Sequence, residues 1–236
     1  MKNTRIILLV FTIFTFLLCQ NSFCQNNNVD TLFIKKDNLL GSKQSIYFET
    51  NKNSDHYKNL TSFEFDEFDK ESYQWSLDYL KENNIHLTTQ KNILPSDKWI
   101  IIQQYNNEFY VYYPCDFYTF FQVSITDSAY VEMTGEGSVA NKILSQRKIN
   151  NSVFEIKTMG MYQQNRTIKI YLINPKKGIA VFEENRNNGS QYRYLMIEAD
   201  KIKTIPLIVN HCEIHKQPEL EFEKPDFERL IKALKK

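Results

Sequence analysis

Short apolar and aromatic runs alternate with turn-forming residues along the chain from Lys98 to His215. The turns between the runs contain residues that tolerate left-handed or fixed backbone dihedral angles, at positions 106–107, 126–128, 174–178 and 187–189. Turns that recur at intervals of about 8 to 12 residues are typical of antiparallel strands in a sandwich or a barrel. The pattern therefore predicts a mainly β fold, an antiparallel meander of about nine strands that forms a barrel or a sandwich.

Alternation within each run assigns its two faces, because successive side chains of a strand point to opposite sides of the sheet. The residues that share an apolar face in this way are Phe117, Phe121, Val123 and Ile125, then Phe154 and Ile156, and then Ile168, Ile170 and Leu172. We expect these residues to form the core of the meander.

A helix is predicted over residues 69–84. Tyr73, Leu77 and Leu80 recur at helical spacing, Asp69 is a suitable N-cap, and Asn83-Asn84 favour the end of the helix. Around it, "DTLFIKK" and "SIYFE" are typical of strands, and the polar residues 50–59 predict a loop. This helix is the one that we expect in the N-terminal third of the chain.

A second, amphipathic helix is predicted at the C-terminus. Pro225 suits its first turn, and its apolar stripe consists of Phe227, Leu230, Ile231 and Leu234. Such a helix covers a sheet or closes a barrel end, or else it docks on a partner or a membrane.

The N-terminus has the pattern of a secretory signal. Lys2 and Arg5 precede an uncharged apolar run that ends at Leu18 and is about 13 residues long, whereas a spanning helix needs about 20. Ser22 and Cys24 suit the positions before a cleavage site, so residues 1–24 are predicted to be removed and 25–236 to form a single β-rich domain. Lipidation of Cys19 is the alternative, although Leu18 is larger than the small residue expected before a lipidated cysteine.

Charge limits the classes of partner. Removal of residues 1–24 takes away two basic residues and no acidic one, so that 27 basic and 28 acidic residues remain and the formal net charge is −1. Binding of nucleic acid relies on a basic surface, so we expect no nucleic acid partner. We also expect no membrane span after processing and a location outside the cytoplasm, in the periplasm or cell envelope of a Gram-negative bacterium.

The mature chain would keep two cysteines, Cys115 and Cys212. In an oxidising compartment two thiols in one domain favour a single disulfide bond, and we predict this bond. Cys212 also lies between His211 and His215 in "NHCEIH". In a strand the two histidines would be about 13 Å apart, and Cys212 would point to the opposite face. Three ligands placed in this way are too far apart to bind one zinc ion. We therefore predict no metal site.

No catalytic residue or cofactor is predicted. There is no Gly-x-Ser-x-Gly motif, and the Gly-x-Gly of "TGEGS" lies between strand-like segments rather than before a helix. A hydrolase that uses two of the many acidic residues remains an alternative, but the sequence does not single out a pair.

The most unusual feature is the aromatic content of "EFYVYYPCDFYTFF", in which eight of fourteen residues are Phe or Tyr. Alternation places Phe109 and Tyr113 on one face of the strand and Tyr110 and Tyr112 on the other. Either one face binds a partner or ligand, with Tyr110, Tyr112 and Tyr113 as candidate binding residues, or both faces are buried, one of them under residues 30 to 49.

The string from Trp99 through "YYPCD" to "ITDSAYVE" resembles exported β-rich proteins of Gram-negative bacteria whose activity is uncharacterised. This resemblance implies a fold and a compartment. The meander also resembles lipocalin-like barrels, although their Gly-x-Trp motif is missing. We therefore expect an exported, non-enzymatic binding or envelope-accessory protein that recognises an envelope protein, or, as the alternative, a lipocalin-like carrier of a small apolar ligand.

Overall fold

The strands that the structure describes form one sheet, and eight of them close into a barrel. The computed structural model describes residues 44–116, 119–213 and 218–235. The strands in these residues are β1 Gln44–Glu49, β2 Lys98–Tyr105, β3 Glu108–Tyr113, β4 Phe121–Ile125, β5 Ala129–Thr134, β6 Gly137–Asn150, β7 Val153–Met159, β8 Asn165–Asn174, β9 Ile179–Arg186, β10 Gln191–Glu198 and β11 Leu207–Cys212. The α-helices are α1 Asp55–Thr61, α2 Glu67–Glu82 and α3 Phe227–Lys232.

Eight of the strands make a closed antiparallel barrel. Strands β4 to β10 follow one another as a meander. Strand β2 closes the barrel, because it pairs with β10 on one edge and with β4 on the other, where Trp99 lies opposite Val123. The predicted antiparallel β fold is confirmed, and of the two predicted architectures the structure has the barrel.

The other three strands extend the sheet away from the barrel. The second half of β2 leaves β4 and pairs with β3, then β11 lies next to β3, and β1 lies at the edge next to β11. The β3–β11 pair is parallel. A meander has only antiparallel neighbours. The described residues therefore differ from the predicted meander of about nine strands in having eleven strands and one parallel pair. The connection from β10 to β11 contains a 3₁₀ helix, Ala199–Thr204. After this connection β11 runs parallel to its neighbour β3.

One end of the barrel interior, which we call the lower end, is filled with apolar side chains. Trp99 and Phe182 are fully buried there, with their rings 5.2 Å apart in an edge-to-face arrangement. The predicted core residues of β4, β7 and β8 pack in the same cluster, except that Phe117 lies outside the described residues. Ile93 and Leu94, from the segment that leads into β2, pack against this cluster.

A second core lies on the outer face of the sheet. Helix α1 buries Tyr57 and Leu60 there, and Phe227, Leu230 and Ile231 of α3 pack against the same cluster. The prediction that the C-terminal helix covers a sheet is confirmed. The loop predicted at 50–59 is confirmed for residues 50–54 and was wrong for 55–59, where α1 lies. In that segment the helix carries few apolar residues, and long-range packing rather than periodicity supports it.

Helix α2 begins earlier than predicted. Its N-cap is Asp66, whose carboxylate accepts a hydrogen bond from the backbone N–H of Asp69 at 2.7 Å. Asp69 is therefore inside the helix rather than its cap. The predicted end is confirmed, since Asn83 is the C-cap and Asn84 has a left-handed φ of 59°. No helix within the described residues is both long and apolar enough to span a membrane.

A row of alternating charge crosses the outer face of the barrel. Arg147, Glu155, Lys169, Glu183 and Arg193 lie opposite one another on five successive strands. The guanidinium of Arg193 is 2.7 Å from Glu183, and that of Arg147 is 3.1 Å from Glu155. A slip of one residue would turn these side chains into the barrel, so the row favours the observed register.

Candidate functional site at the barrel mouth

The tyrosines that the sequence suggested as binding residues lie largely in the core. Tyr110 and Tyr112 are only 7% and 8% exposed. Phe48 of β1 stacks on Tyr110, and Phe222 of the C-terminal segment packs edge-on against Tyr112. Of the two arrangements, the structure has the buried one, because both faces of β3 are covered. Tyr113 is half-buried and lines a small cavity, where its role as a binding residue stays a prediction.

A half-buried carboxylate, that of Glu219, holds the C-terminal segment against this cluster. The Tyr112 hydroxyl donates a hydrogen bond to Glu219, and Asn210 donates to both the Tyr112 oxygen and Glu219, at 3.1 and 2.9 Å. The backbone N–H of Asp116 donates to the same carboxylate at 2.5 Å. Burial raises the pKa of the Tyr112 phenol, and its hydrogen bond to Glu219 acts in the same direction. The hydrogen bonds to Glu219 therefore attach the C-terminal segment to β3 and β11.

The predicted disulfide bond is present. Cys115 follows β3 and Cys212 ends β11, and their Cα atoms are 5.7 Å apart across the parallel pair. His211 is exposed at the same strand end, and His215 lies outside the described residues. Among the residues that the structure describes, no three His, Cys, Asp or Glu side chains come together as a possible metal site.

The opening at one end of the barrel is a different candidate site, which we call the barrel mouth. It lies where β5, β7 and β9 end and where β4, β6, β8 and β10 begin. It contains a cavity of about 560 Å³. The residues that line it include Trp75, Glu132, Asn141, Tyr162, Arg166 and Arg186.

Helix α2 brings Trp75 to the barrel mouth. The first residues of β6 pair with β5 on one edge. On their other edge, serine hydroxyl groups of α2 accept the backbone hydrogen bonds that a neighbouring strand would otherwise accept. Ser72 Oγ accepts a hydrogen bond from the N–H of Ser138 at 2.8 Å, and Ser76 Oγ accepts from Ala140 at 2.9 Å. A Cβ on Gly137 would lie 2.4 Å from Ser72 Oγ, so glycine is required for this approach. Trp75, between the two serines, is left 56% exposed beside the cavity.

The floor of the barrel mouth is a buried ion network. Arg166, which is only 7% exposed, forms two parallel hydrogen bonds to Glu132, of 2.7 and 2.8 Å. A third contact of 3.4 Å joins it to Glu184, which also accepts from Arg186 Nε at 2.5 Å. Burial lowers the pKa of the Arg166 guanidinium, but the attraction of Glu132 and Glu184 outweighs burial and raises it. Arg166 is therefore a fixed cation.

Three buried hydroxyl-bearing side chains lie with this network in the barrel interior. The oxygens of Tyr130, Thr158 and Tyr194 make no hydrogen bond of ordinary geometry with the described residues. The Tyr130 and Tyr194 phenols interact with each other, and burial raises the pKa of both. Thr158 is the cross-strand neighbour of Arg166. The interior thus changes from apolar at the lower end to polar below the mouth.

The turn between β7 and β8 forms another wall of the mouth. Tyr162 has a left-handed backbone, with φ 56° and ψ 28°, and its side chain is 68% exposed. Its ring lies 5.4 Å from that of Tyr79 in α2. A left-handed conformation costs a residue with a side chain about 1–2 kcal/mol. Such strain is concentrated at functional sites, so Tyr162 marks this turn as a candidate.

The residues of the mouth were missed by the sequence reading, although a signal for some of them was present. Arg166 falls in phase with Ile168 and Ile170 on the inward face of β8, and Glu184 falls in phase with Phe182 on β9. A charged residue at a core position of a strand is rare unless it is paired. The partner cannot be read from the pattern, because Glu132 lies 34 residues from Arg166 along the chain.

Comparison of the chain with protein-family models, with curated protein sequences and with solved structures gave no match.

Proposed function

We propose that the protein is an exported, non-enzymatic binding protein that holds a small polar ligand in the barrel mouth. The observation that carries this proposal is the combination of an open cavity of about 560 Å³ with a buried, hydrogen-bonded Arg166–Glu132 pair at its floor. Binding sites for small molecules are clefts of about 300–1,000 Å³ with a few placed polar groups.

The rim of the cavity supports the proposal. Trp75 and Tyr162 are large and exposed, and both line the opening. Aromatic side chains of this kind give a ligand a large contact area and lose little conformational entropy, since they have only two side-chain torsions. The bidentate ion pair fixes the polar floor before a ligand arrives, which lowers the entropic cost of binding.

The two alternative functions have less support. A lipocalin-like carrier of an apolar ligand needs an apolar chamber, whereas here the lower interior holds Trp99, Phe182 and their neighbours, and the upper interior is polar. A hydrolase with paired carboxylates needs one acid that donates a proton to its substrate. Glu132 and Glu184 both contact the same guanidinium instead.

Tryptophan fluorescence tests ligand binding at the mouth. The chain has two tryptophans, of which Trp75 is exposed at the rim and Trp99 is fully buried. A panel of sugars, amino acids, nucleosides and fatty acids should contain a polar compound that shifts the emission of Trp75. Trp75→Phe should abolish the signal and weaken binding by about tenfold in calorimetry, as expected for loss of about 1.4 kcal/mol of ring contact.

Phe68→Leu is the matched control. Phe68 lies on the same helix and is 57% exposed, but it is not one of the residues that line the cavity. Its replacement should leave both the signal and the affinity unchanged. Binding of fatty acids alone, or a Trp75→Phe variant with wild-type affinity, would reject the barrel mouth as the site of a polar ligand.

Export is part of the proposal. The charged start, the apolar run and the Ser22-x-Cys24 junction support cleavage before Gln25, and a disulfide bond is compatible with an oxidising compartment. Mass spectrometry of the protein from its native host should find a chain that begins at Gln25. An intact Met1, or a lipid on Cys19, would contradict this processing.

A further inference from the structure

We infer that the ligand of the barrel mouth is a neutral oligosaccharide that extends into a second cavity beside the mouth. The inference rests on the proposed function and adds the class and the length of the ligand. It comes from the shape of the opening, the balance of charge along it, the chemistry of its polar side chains and the placement of its exposed rings.

The opening continues past the floor of the mouth. A second cavity of about 240 Å³ lies beside the first, and both are lined by Tyr162, Gln164 and Arg186. The second cavity is completed by Asn165 and by Asn187 and Asn188 of the β9–β10 turn. The shared residues join the two cavities, so a ligand longer than one ring can occupy both. Tyr162 lies at the boundary between the two positions.

Charge along this opening is nearly balanced. Among the described residues that line the two cavities, the charged side chains are the carboxylates of Glu132 and Glu136 and the guanidinium groups of Arg166 and Arg186. Buried Glu184, which contacts both arginines, adds one further negative charge. Binding of a phosphate or carboxylate ligand is favoured by an excess of positive charge at its site. The balance therefore favours an uncharged ligand.

The uncharged polar side chains of the opening both donate and accept hydrogen bonds. They are Gln164, Asn165, Asn187 and Asn188, together with Thr134 and Asn141, whose side chains already form hydrogen bonds within the protein. An amide side chain offers two donors and an acceptor, which suits ligand hydroxyl groups that also do both. The buried amide oxygen of Asn165 has no hydrogen-bond partner among the described residues. Such an acceptor is stabilised by a donor, and a hydroxyl group can supply one.

The exposed rings supply the apolar half of the recognition. Trp75 stands over the first cavity, and Tyr162 stands between the two. The face of an aromatic ring carries partial negative charge and attracts the partly positive C–H groups on one side of a sugar ring. Sugars combine such a face with hydroxyl groups around their edge. The opening presents both kinds of partner, whereas a purely apolar ligand would offer its amides no hydrogen-bonding group.

Calorimetric titration of the disulfide-bonded protein tests the inference. The probes are glucose and N-acetylglucosamine, their β-linked and α-linked oligomers up to the tetrasaccharide, and triglycine as a neutral peptide of similar length. Affinity should rise by about tenfold or more from the monosaccharide to the trisaccharide of one series, because the second cavity adds hydrogen bonds. Triglycine should bind at least tenfold more weakly than that trisaccharide, since it has no sugar ring to stack.

Two asparagine variants separate the cavities. Asn187→Ala, in the second cavity alone, should weaken binding of the trisaccharide by about fivefold or more and leave the monosaccharide unchanged. Asn150→Ala, an exposed asparagine at the end of β6, is the matched control and should change neither. Equal affinity for the monosaccharide and the trisaccharide, or equal effects of the two variants, would overturn the second cavity as a subsite.

The outcomes also separate this inference from the proposed function. Binding of triglycine as tight as that of the best saccharide would reject a saccharide ligand, and so would a panel in which only a nucleoside or an amino acid binds. In each of these results a Trp75-dependent signal would leave the barrel mouth as a binding site. Absence of any Trp75-dependent binding across the whole panel would reject both.

Discussion

Replacement of Arg166 by methionine is expected to lower the free energy of unfolding by about 3–5 kcal/mol. The guanidinium is buried and contacts Glu132 and Glu184. Its removal takes away the cation that pairs with the mostly buried carboxylate of Glu132, while Glu184 keeps its ion pair with Arg186. An unpaired buried charge is far more costly than a paired one. Urea unfolding followed by circular dichroism measures the change.

Two further variants test the cause. Arg147→Met removes an arginine that is 67% exposed, and its partner Glu155 keeps Lys169 as a cross-strand neighbour of opposite charge, so the change should cost at most about 1 kcal/mol. The double variant Arg166→Met, Glu132→Gln removes the unpaired charge of Glu132 and should recover most of the loss. If Arg166→Met costs no more than Arg147→Met, the network is not buried as the structure has it.

Removal of the disulfide bond is expected to have an effect of similar size. Cys115 and Cys212 are 97 residues apart, and the chain-entropy model gives a loop of about 100 residues roughly 4.7 kcal/mol of stabilisation, while removal of native disulfides costs about 2–5 kcal/mol. The Cys115→Ser, Cys212→Ser double variant should therefore unfold at a much lower urea concentration than the oxidised wild type.

Reduction provides the control for this variant. A thiol reductant should destabilise the wild type to about the level of the double variant and leave the double variant unchanged. Oxidised protein should show no free thiol from these two cysteines under denaturant. A wild type whose unfolding does not respond to reductant would contradict the bond or its contribution to stability.

The two predictions concern different parts of the fold. The disulfide joins β3 to β11 in the extension of the sheet, next to the Glu219 network, whereas Arg166 joins β5, β8 and β9 inside the barrel. Loss of the disulfide should therefore leave the ligand affinity of the folded protein unchanged. Loss of Arg166 should weaken both stability and binding, because the same side chain forms the floor of the mouth.

The sequence by itself determined the strands of the barrel, their faces and their turns. Ile168, Ile170 and Leu172 alternate with polar residues and all face the interior, and Asn106-Asn107 both adopt the left-handed backbone that a tight hairpin requires. These features are local, since the period of a strand and the dihedral angles of a turn are set by adjacent residues. The disulfide was also predictable, because the mature chain would keep only one possible pair.

The tertiary structure alone decided how the barrel closes and where its site lies. Strand β2 pairs with three strands, and nothing in its own residues indicates this. The aromatic face of Tyr110 and Tyr112 is buried by segments on both ends of the chain rather than left free for a partner. Trp75 and Arg166 line the same opening although they are far apart in sequence. Such contacts depend on closure of the chain over long loops, and one strand's pattern cannot encode which distant strand supplies the opposite charge.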